Sequence, residues 1–182
     1  MLRLLRTNAD LRWLFVAQVV SFMGDWFSFV ALASLVHEAT GSEFLVSVAY
    51  VSFSLPSFLA SPIAGPVVDR FDRRRLLLVL SVAQALAALG LLTASTDRVW
   101  PLFIFQGIIS ALAAFVKPAI DAGVPNLARS PEEFRQANAL FGSTWGVMLA
   151  LGAALGGWFS GTFGRSASFI ANAISFVIAL GF

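Results

Sequence analysis

The sequence contains no cysteine and a single histidine, His37. Without cysteine the chain can form neither a disulfide nor a cysteine-based metal site. His37 falls in a predicted outer turn, so no cluster of histidine, cysteine or paired acids is available for catalysis. We therefore expect no metal and no cofactor, and an intramembrane enzyme is the least favoured class of function.

Charged residues are also scarce. They make up 12% of the chain, whereas hydrophobic residues make up 58%; an average soluble domain is about 25% charged. A soluble all-α core would need helices with polar faces, which the long apolar runs of this chain largely lack. The net charge of +2 depends on where the arginines sit and does not indicate nucleic acid binding. The composition indicates a lipid bilayer as the surroundings.

Six apolar runs account for most of the 182 residues. A membrane-spanning helix needs about 20 apolar residues, and most of the runs reach that length. The predicted spans are 12–36, 44–68, 75–96, 99–122, 136–161 and 165–182, with a charged loop over 69–75. The predicted fold is an all-α membrane protein in which residues 1–182 form one six-span domain.

The distribution of basic residues predicts the orientation of the spans. Short cytoplasmic loops carry an excess of lysine and arginine. If the six spans alternate, nine arginines fall on one side and two, Arg98 and Arg165, on the other; the nine are Arg3, Arg6, Arg12, Arg70, Arg73, Arg74, Arg75, Arg129 and Arg135. We therefore expect the N-terminus and the 69–75 loop on the cytoplasmic side.

Polar residues recur inside the spans at helical spacing. Gln18, Ser21, Asp25 and Ser28 follow each other at steps of three, four and three, which places them on one face of the first span. Comparable stripes occur in the second span (Ser47, Tyr50, Ser54, Ser57, Ser61), the fourth (Gln106, Ser110, Lys117, Asp121) and the sixth (Ser168, Asn172, Ser175). These stripes predict a shared aqueous cavity. Pro56 and Pro62 should kink the second span.

Asp25 is the acid that lies deep within a span. At 1.5 Å per residue it is about 18 Å from Trp13, near the middle of a bilayer. A carboxylate is costly there unless it is hydrated, paired or protonated. Two interpretations follow: a group that binds a proton or contacts a cation, or a structural acid bonded to Ser21, Ser28 or a neighbouring helix.

Glycine is concentrated in the fifth span. Pairs of small residues spaced four apart let another helix approach closely. The glycines expected to pack in this way are Gly146, Gly152, Gly156 and Gly157.

The loop after the second span carries the pattern Gly65, Asp69, Arg70, Arg73 and Arg74. With six spans and the glycine-rich fifth span, this pattern resembles the amino-terminal half of a major facilitator superfamily transporter. Asp72 stands where the family motif usually has a second glycine. The stretch GAALGG, residues 152–157, is similar to the antiporter motif of exporters, with Ala153 in place of proline. Nearly the whole chain resembles the branch of bacterial exporters that includes enterobactin and macrolide exporters.

The resemblance implies a secondary active exporter in the bacterial cytoplasmic membrane that works by alternating access. Protons would drive efflux of a small amphipathic, drug-like or siderophore-like molecule. Asp25 would couple to the proton, and the cavity would be lined by Gln18, Ser28, Tyr50, Ser54, Gln106 and Ser110. Two alternatives remain open: transport of a lipid-like or metal substrate, and a truncated or non-transporting module that only assembles in the membrane.

The charged motif is expected to act as a gate. Asp69 lies where one helix ends, so its carboxylate can brace the turn or meet a nearby helix amino terminus. In the family the equivalent charges also latch the two halves of the transporter together on the cytoplasmic side. The alternative is a surface charge cluster that only fixes topology.

An internal repeat agrees with this interpretation. At an offset of 92 residues, Gly65, Phe71 and Arg73 match Gly157, Phe163 and Arg165, as two inverted three-span repeats would. Family members have about twelve spans and bind substrate between two halves. A missing carboxy-terminal half, or a second copy of the chain, is therefore the expected partner.

Overall fold

Seven α-helices form the part of the chain that the computed structural model describes, residues 2–179, with side chains from residue 4. In chain order they are α1 (Leu2–Thr7), α2 (Ala9–Thr40), α3 (Glu43–Arg70), α4 (Arg73–Gly90), α5 (Trp100–Leu127), α6 (Pro131–Phe163) and α7 (Arg165–Ala179). A 3₁₀ turn, Leu91–Thr93, continues α4. Between residues 2 and 179 there is no β-strand, and the predicted all-α fold is confirmed.

Helices α2 to α7 correspond to the six predicted spans. Five of them, α2 to α6, are long and apolar enough to cross a membrane, with α4 counted through its 3₁₀ turn. Helix α7 is apolar but has 15 described residues. The last part of the sixth predicted span, 180–182, lies outside the described residues, as does the side chain of Arg3.

The helix starts are fixed by polar caps. Asn8, Ser42, Asp72 and Ser130 each precede a helix and accept a hydrogen bond from the backbone N–H three residues later. Such caps satisfy amide groups that the first helical turn leaves free. At the other end of α2, Gly41 adopts a left-handed conformation with φ of 61°, which glycine tolerates at low cost. These residues therefore mark where four of the helices begin and where α2 ends.

The charged turn is tighter than the predicted loop over 69–75. Asp69 and Arg70 continue α3, and α4 begins at Arg73, so two residues, Phe71 and Asp72, connect the helices. Asp72 accepts a 2.9 Å hydrogen bond from the Arg75 amide. The amino terminus of α4 is thus capped by Asp72, which immediately precedes the helix.

The helix contacts show two interlocked repeats, α2–α4 and α5–α7. Helix α3 packs against α5, and in the same way α6 packs against α2; α4 packs against α5, and α7 against α2. Helices α4 and α7 contact each other. Exchanging the two repeats reproduces these principal contacts, so each repeat is completed by the first helix of the other.

Buried side chains form two clusters along the bundle. The larger one joins α2, α4, α5 and α7 through residues such as Leu32, Leu102 and Phe176. The smaller one lies at the end that carries the charged turn and contains Leu11 and Phe141. Large apolar side chains elsewhere point outward, as the exposed positions of Phe58, Val79 and Leu86 show. An apolar exterior suits contact with lipid.

The glycines of α6 divide into two faces. A Cβ at Gly152 would meet the Trp26 ring, and one at Gly156 would lie 2.9 Å from the Trp26 carbonyl oxygen. These two glycines allow α6 to pack closely on α2. At Gly146 and Gly157 a Cβ would have no neighbour within 4 Å. They do not pack within the described bundle, because at about 100° per residue they point more than 100° away from Gly152.

Candidate functional site

The predicted polar face of α2 meets the polar face of α7. Ser28 on α2 is fully buried, and Ser168, Asn172 and Ser175 on α7 are buried as well. The helices approach closely at Gly24, where a Cβ would lie 2.8 Å from Asn172 Oδ1 and would overlap Ser175. A larger residue at position 24 would separate the two polar faces.

Four side-chain atoms in this region are buried without a hydrogen-bond partner in the described part of the chain. They are Gln18 Oε1, Asp25 Oδ1, Ser28 Oγ and Asn172 Nδ2. Buried polar atoms are almost always paired, and leaving one unpaired costs about 1–3 kcal/mol. Three of the four atoms come from the α2 face that the sequence predicted. Because the cost is concentrated in one helix interface, we take this interface as the candidate functional site.

Asn172 is the side chain that interacts with the Asp25 carboxyl across the interface, although neither Asp25 Oδ1 nor Asn172 Nδ2 has a completed hydrogen bond. Ser175 holds the amide: its hydroxyl donates to the Asn172 backbone oxygen at 2.7 Å and to Asn172 Oδ1 at 3.3 Å. The amide oxygen can therefore still accept a further hydrogen bond, and the amide nitrogen has no partner in the described part of the chain.

The sequence pattern recognised the stripe Ser168, Asn172 and Ser175 but did not assign it to the site. Spacing alone places these residues on one face of a helix; it does not say which helix that face contacts. The close approach at Gly24 also went unnoticed, because the sequence shows no partner for it.

Two of the residues predicted to line the cavity are buried inside the bundle. Gln106 and Ser110 on α5 are buried, 2% and 3% exposed, so they do not line an open cavity in the described bundle. Ser110 donates a 2.7 Å hydrogen bond to the Phe53 carbonyl and accepts one of 3.2 Å from the Ser57 amide. The Ser110 hydroxyl thus bonds to the α3 backbone both as a donor and as an acceptor.

The bridge from Ser110 lies next to a proline. In a regular α-helix the carbonyl of Phe53 and the amide of Ser57 bond to each other; here the Ser110 hydroxyl connects them, beside Pro56. A side chain that inserts into a helix ladder and an internal proline are both established causes of helix bending. Both features therefore favour the kink that is predicted at Pro56.

Tyr50 and Ser54 lie on the open side of α3. Tyr50 is 54% exposed, and its ring contacts Phe29 of α2 edge-on at 5.6 Å. The Ser54 hydroxyl is exposed and bonds to the Tyr50 carbonyl of its own helix. Both side chains remain available to a ligand or to another part of the protein.

The charged motif is partly engaged within the bundle. Arg73 donates a 2.7 Å hydrogen bond to the Ala122 carbonyl of α5, so it ties the start of α4 to α5. Asp69, Arg70 and Arg74 are exposed, and within residues 4–179 they form no ion pair. These three charges are free to meet another surface.

A second polar network at this end of the bundle escaped prediction. The Asn8 amide donates to the Leu127 carbonyl at 2.9 Å and to Glu133 at 3.1 Å. Glu133 also accepts from the Arg129 amide, and Arg129 donates to the Thr7 carbonyl. The network joins the starts of α2 and α6.

A cavity of about 790 Å³ opens at the opposite end of the bundle. It lies between α2, the turn after α4 and the α6–α7 turn, and its polar lining includes Ser34, Ser160 and Arg165. Arg165 pairs with Glu38, which connects the start of α7 to α2.

Two interlocked helix repeats, with an acid whose Oδ1 is buried in the interface between two helices, are typical of one half of a secondary membrane transporter. Comparison with known sequences agrees: residues 14–182 match the Major Facilitator Superfamily, and the chain belongs to that family. It is a multi-pass membrane protein. The predicted family is confirmed, and the enterobactin and macrolide branch stays a prediction.

Three relatives from Bacillus subtilis (strain 168) show how far the similarity extends. The chain is 27% identical over 178 residues to the uncharacterized MFS-type transporter YfiS, covering 97% of this chain and 42% of YfiS. It is 28% identical over 134 residues to multidrug resistance protein 2, covering 71% and 32%. It is 26% identical over 174 residues to the uncharacterized MFS-type transporter YkuC, covering 94% and 40%. The chain thus spans less than half the length of each relative. No solved structure matches it.

Proposed function

We propose that this chain forms the amino-terminal half of a proton-coupled exporter that moves a small amphipathic, drug-like or siderophore-like molecule by alternating access. The observation that carries the proposal is the Asp25 carboxyl, which has a buried, unpartnered oxygen between α2 and α7. An ionisable group inside a membrane domain generally marks an ion or substrate pathway. Similarity to multidrug resistance protein 2 supports a drug-like substrate.

In this proposal the site residues have separate roles. Asp25 takes up and releases the proton, and Gln18 and Ser28 offer polar contacts along the same face of α2. Tyr50 and Ser54, on the open side of α3, contact the substrate. Ser110 acts differently, by bonding to the α3 backbone, and Gln106 is buried within the bundle.

We assign the gate and the contact with the partner to exposed surfaces of the bundle. Asp69, Arg70 and Arg74 form no ion pair within residues 4–179, so they are free to latch onto a carboxy-terminal half or a second copy of the chain. The open glycine face of α6, with Gly146 and Gly157, allows close approach of a helix from that partner. The motif end of the bundle, with the N-terminus, faces the cytoplasm of a bacterium.

The proposal is tested by replacing Asp25 with asparagine, which has the same shape but cannot ionise. The full-length protein is placed in liposomes with a pH gradient, and transport is followed with three fluorescent amphipathic probes, ethidium among them. We expect Asp25→Asn to lose gradient-driven transport by at least about tenfold, while exchange of probe without a gradient continues.

The matched control is Asp121→Asn. Asp121 is an exposed acid on α5 that pairs with Lys117 at 2.5 Å, and exposed pairs of this kind contribute little. Its replacement should leave gradient-driven transport unchanged. Gradient-driven transport by Asp25→Asn at the wild-type rate would remove Asp25 from coupling, and failure of the wild-type protein to move any probe would exclude the proposed substrate class.

A further inference from the structure

Asn172 on α7 faces the acid on α2, and the Ser175 hydroxyl lies beside its amide. That hydroxyl donates to the Asn172 backbone oxygen at 2.7 Å and, more weakly, to Asn172 Oδ1 at 3.3 Å, so Oδ1 can still accept another hydrogen bond. The donor end, Nδ2, is buried and has no hydrogen-bond partner among the described residues, and the same holds for Asp25 Oδ1. A free donor and a free acceptor thus lie on the two sides of one helix interface.

The charged groups of the neighbouring helices do not interfere. Within residues 4–179 Asp25 forms no ion pair. Lys117 and Asp121 on α5 pair with each other, as do Glu132 and Arg135 on α6. Arg165 on α7 pairs with Glu38. The charges of α3, Glu43, Asp69 and Arg70, lie in its first and last turns.

The hydrogen-bonding needs of Asp25 change when it gains a proton. An ionised carboxylate only accepts hydrogen bonds, and it can take one from Asn172 Nδ2. A protonated carboxyl also donates, and an amide can accept only through its oxygen. Because Oδ1 and Nδ2 lie at opposite ends of the amide, Asn172 must rotate, which releases the weak 3.3 Å contact with Ser175, before it can offer Oδ1 to the neutral acid.

Ser175 makes that release inexpensive. Its hydroxyl also donates to the Asn172 backbone oxygen at 2.7 Å, within its own helix, so it keeps a partner after the amide turns. Because α7 lies against Gly24 with no room for a Cβ, a rotation of the Asn172 amide changes the contact between the two helices directly.

We infer that Asn172 is the positioning residue through which the protonation state of Asp25 reaches α7. The inference rests on the proposed role of Asp25 in coupling and adds the residue that transmits it. Asn172 does not itself take up the proton. Its amide presents a donor to the ionised acid and, after rotation, an acceptor to the neutral one.

The test compares Asn172→Leu with Gln84→Leu in the full-length protein in liposomes, with ethidium as the probe. Gln84 is a buried amide in the α4–α5 contact, and it donates to the Ile109 carbonyl at 3.3 Å. We expect Asn172→Leu to reduce gradient-driven transport by about tenfold or more and to leave exchange without a gradient within about threefold. Gln84→Leu should leave both nearly unchanged.

The two proposals fail in different ways. If Asp25→Asn loses gradient-driven transport while Asn172→Leu keeps it, the role of Asp25 stands and the inference about Asn172 is overturned. If both variants keep it, the proposed function itself fails. Loss of exchange as well as gradient-driven transport in Asn172→Leu would show a merely structural role and would also overturn the inference.

A double variant decides the matter if Asn172→Leu does not fold. Asp25→Asn combined with Asn172→Asp keeps one acid and one amide in the same interface and moves the acid to α7. We expect it to recover a substantial part of the gradient-driven transport that Asp25→Asn loses. A double variant no more active than Asp25→Asn would overturn the inference.

Discussion

The two repeats build equivalent interfaces that differ in how completely their polar groups are satisfied. Helix α7 packs against α2 as α4 packs against α5. In the α4–α5 interface the buried amide of Gln84 bonds to the Ile109 carbonyl. In the α2–α7 interface Asp25, Ser28 and Asn172 each have a buried atom without a partner in the described chain.

This difference between the α4–α5 and α2–α7 interfaces is not needed for helix packing alone. Both interfaces hold helices together, so architecture alone does not require the unsatisfied groups. A purely structural interface gains from pairing its polar atoms or replacing them with apolar ones. The unpaired atoms of α2 and α7 agree with the proposed uptake of a proton by Asp25.

The largest effect in this comparison is expected from the two glycines. We predict that Gly24→Ala destabilises the protein by about 1–3 kcal/mol, because the added Cβ meets Asn172 and Ser175, which are short and hydrogen-bonded. At Gly90 the corresponding Cβ meets the Phe105 ring, which is only partly buried and can turn aside. Thermal unfolding in detergent, followed by size-exclusion chromatography, should show a smaller loss for Gly90→Ala; an equal loss would mean that both interfaces are equally rigid.

A smaller effect is expected when the satisfied amide is removed. Gln84→Leu loses one buried hydrogen bond, and such bonds between membrane helices contribute roughly 0.6 kcal/mol on average. The unfolding temperature should fall slightly. A drop as large as that of Gly24→Ala would show that Gln84 belongs to a wider network.

The smallest loss of stability, none at all, is expected at Ser28. Its hydroxyl is fully buried and has no partner in the described chain, so Ser28→Ala removes an unpaired polar group and should raise the unfolding free energy by about 1 kcal/mol. The same unfolding measurement applies. A marked loss of stability would show that the hydroxyl is hydrogen-bonded in the folded protein, and the contrast between the interfaces would weaken.

Sequence patterns predicted the faces of the helices better than their partners. The steps of three and four residues at Gln18, Asp25 and Ser28 correctly grouped them on one side of α2. The same reasoning grouped Gln106 and Ser110, yet these side chains are buried against neighbouring helices. Periodicity reports which side of a helix is polar, whereas the surface that covers that side is set by the packing of distant segments.

The α6 glycines illustrate the same limit. Small residues spaced four apart indicate close packing of two helices, and Gly152 and Gly156 pack closely on α2. Gly146 and Gly157 belong to the same run but point to another side. The charged turn was located correctly by its composition, while its length depended on the cap formed by Asp72, a local geometry that the motif alone does not specify.

The bridge from Ser110 to α3 also bears on the order in which the protein is made. Ser110 lies 53 residues after Ser57 and 57 after Phe53, so the ribosome completes α3 well before it reaches α5. Until then the Ser110 hydroxyl is not there to bond to the Phe53 carbonyl and the Ser57 amide. Helix α3, with its three internal prolines, therefore acquires its bridged form only after α5 has been made.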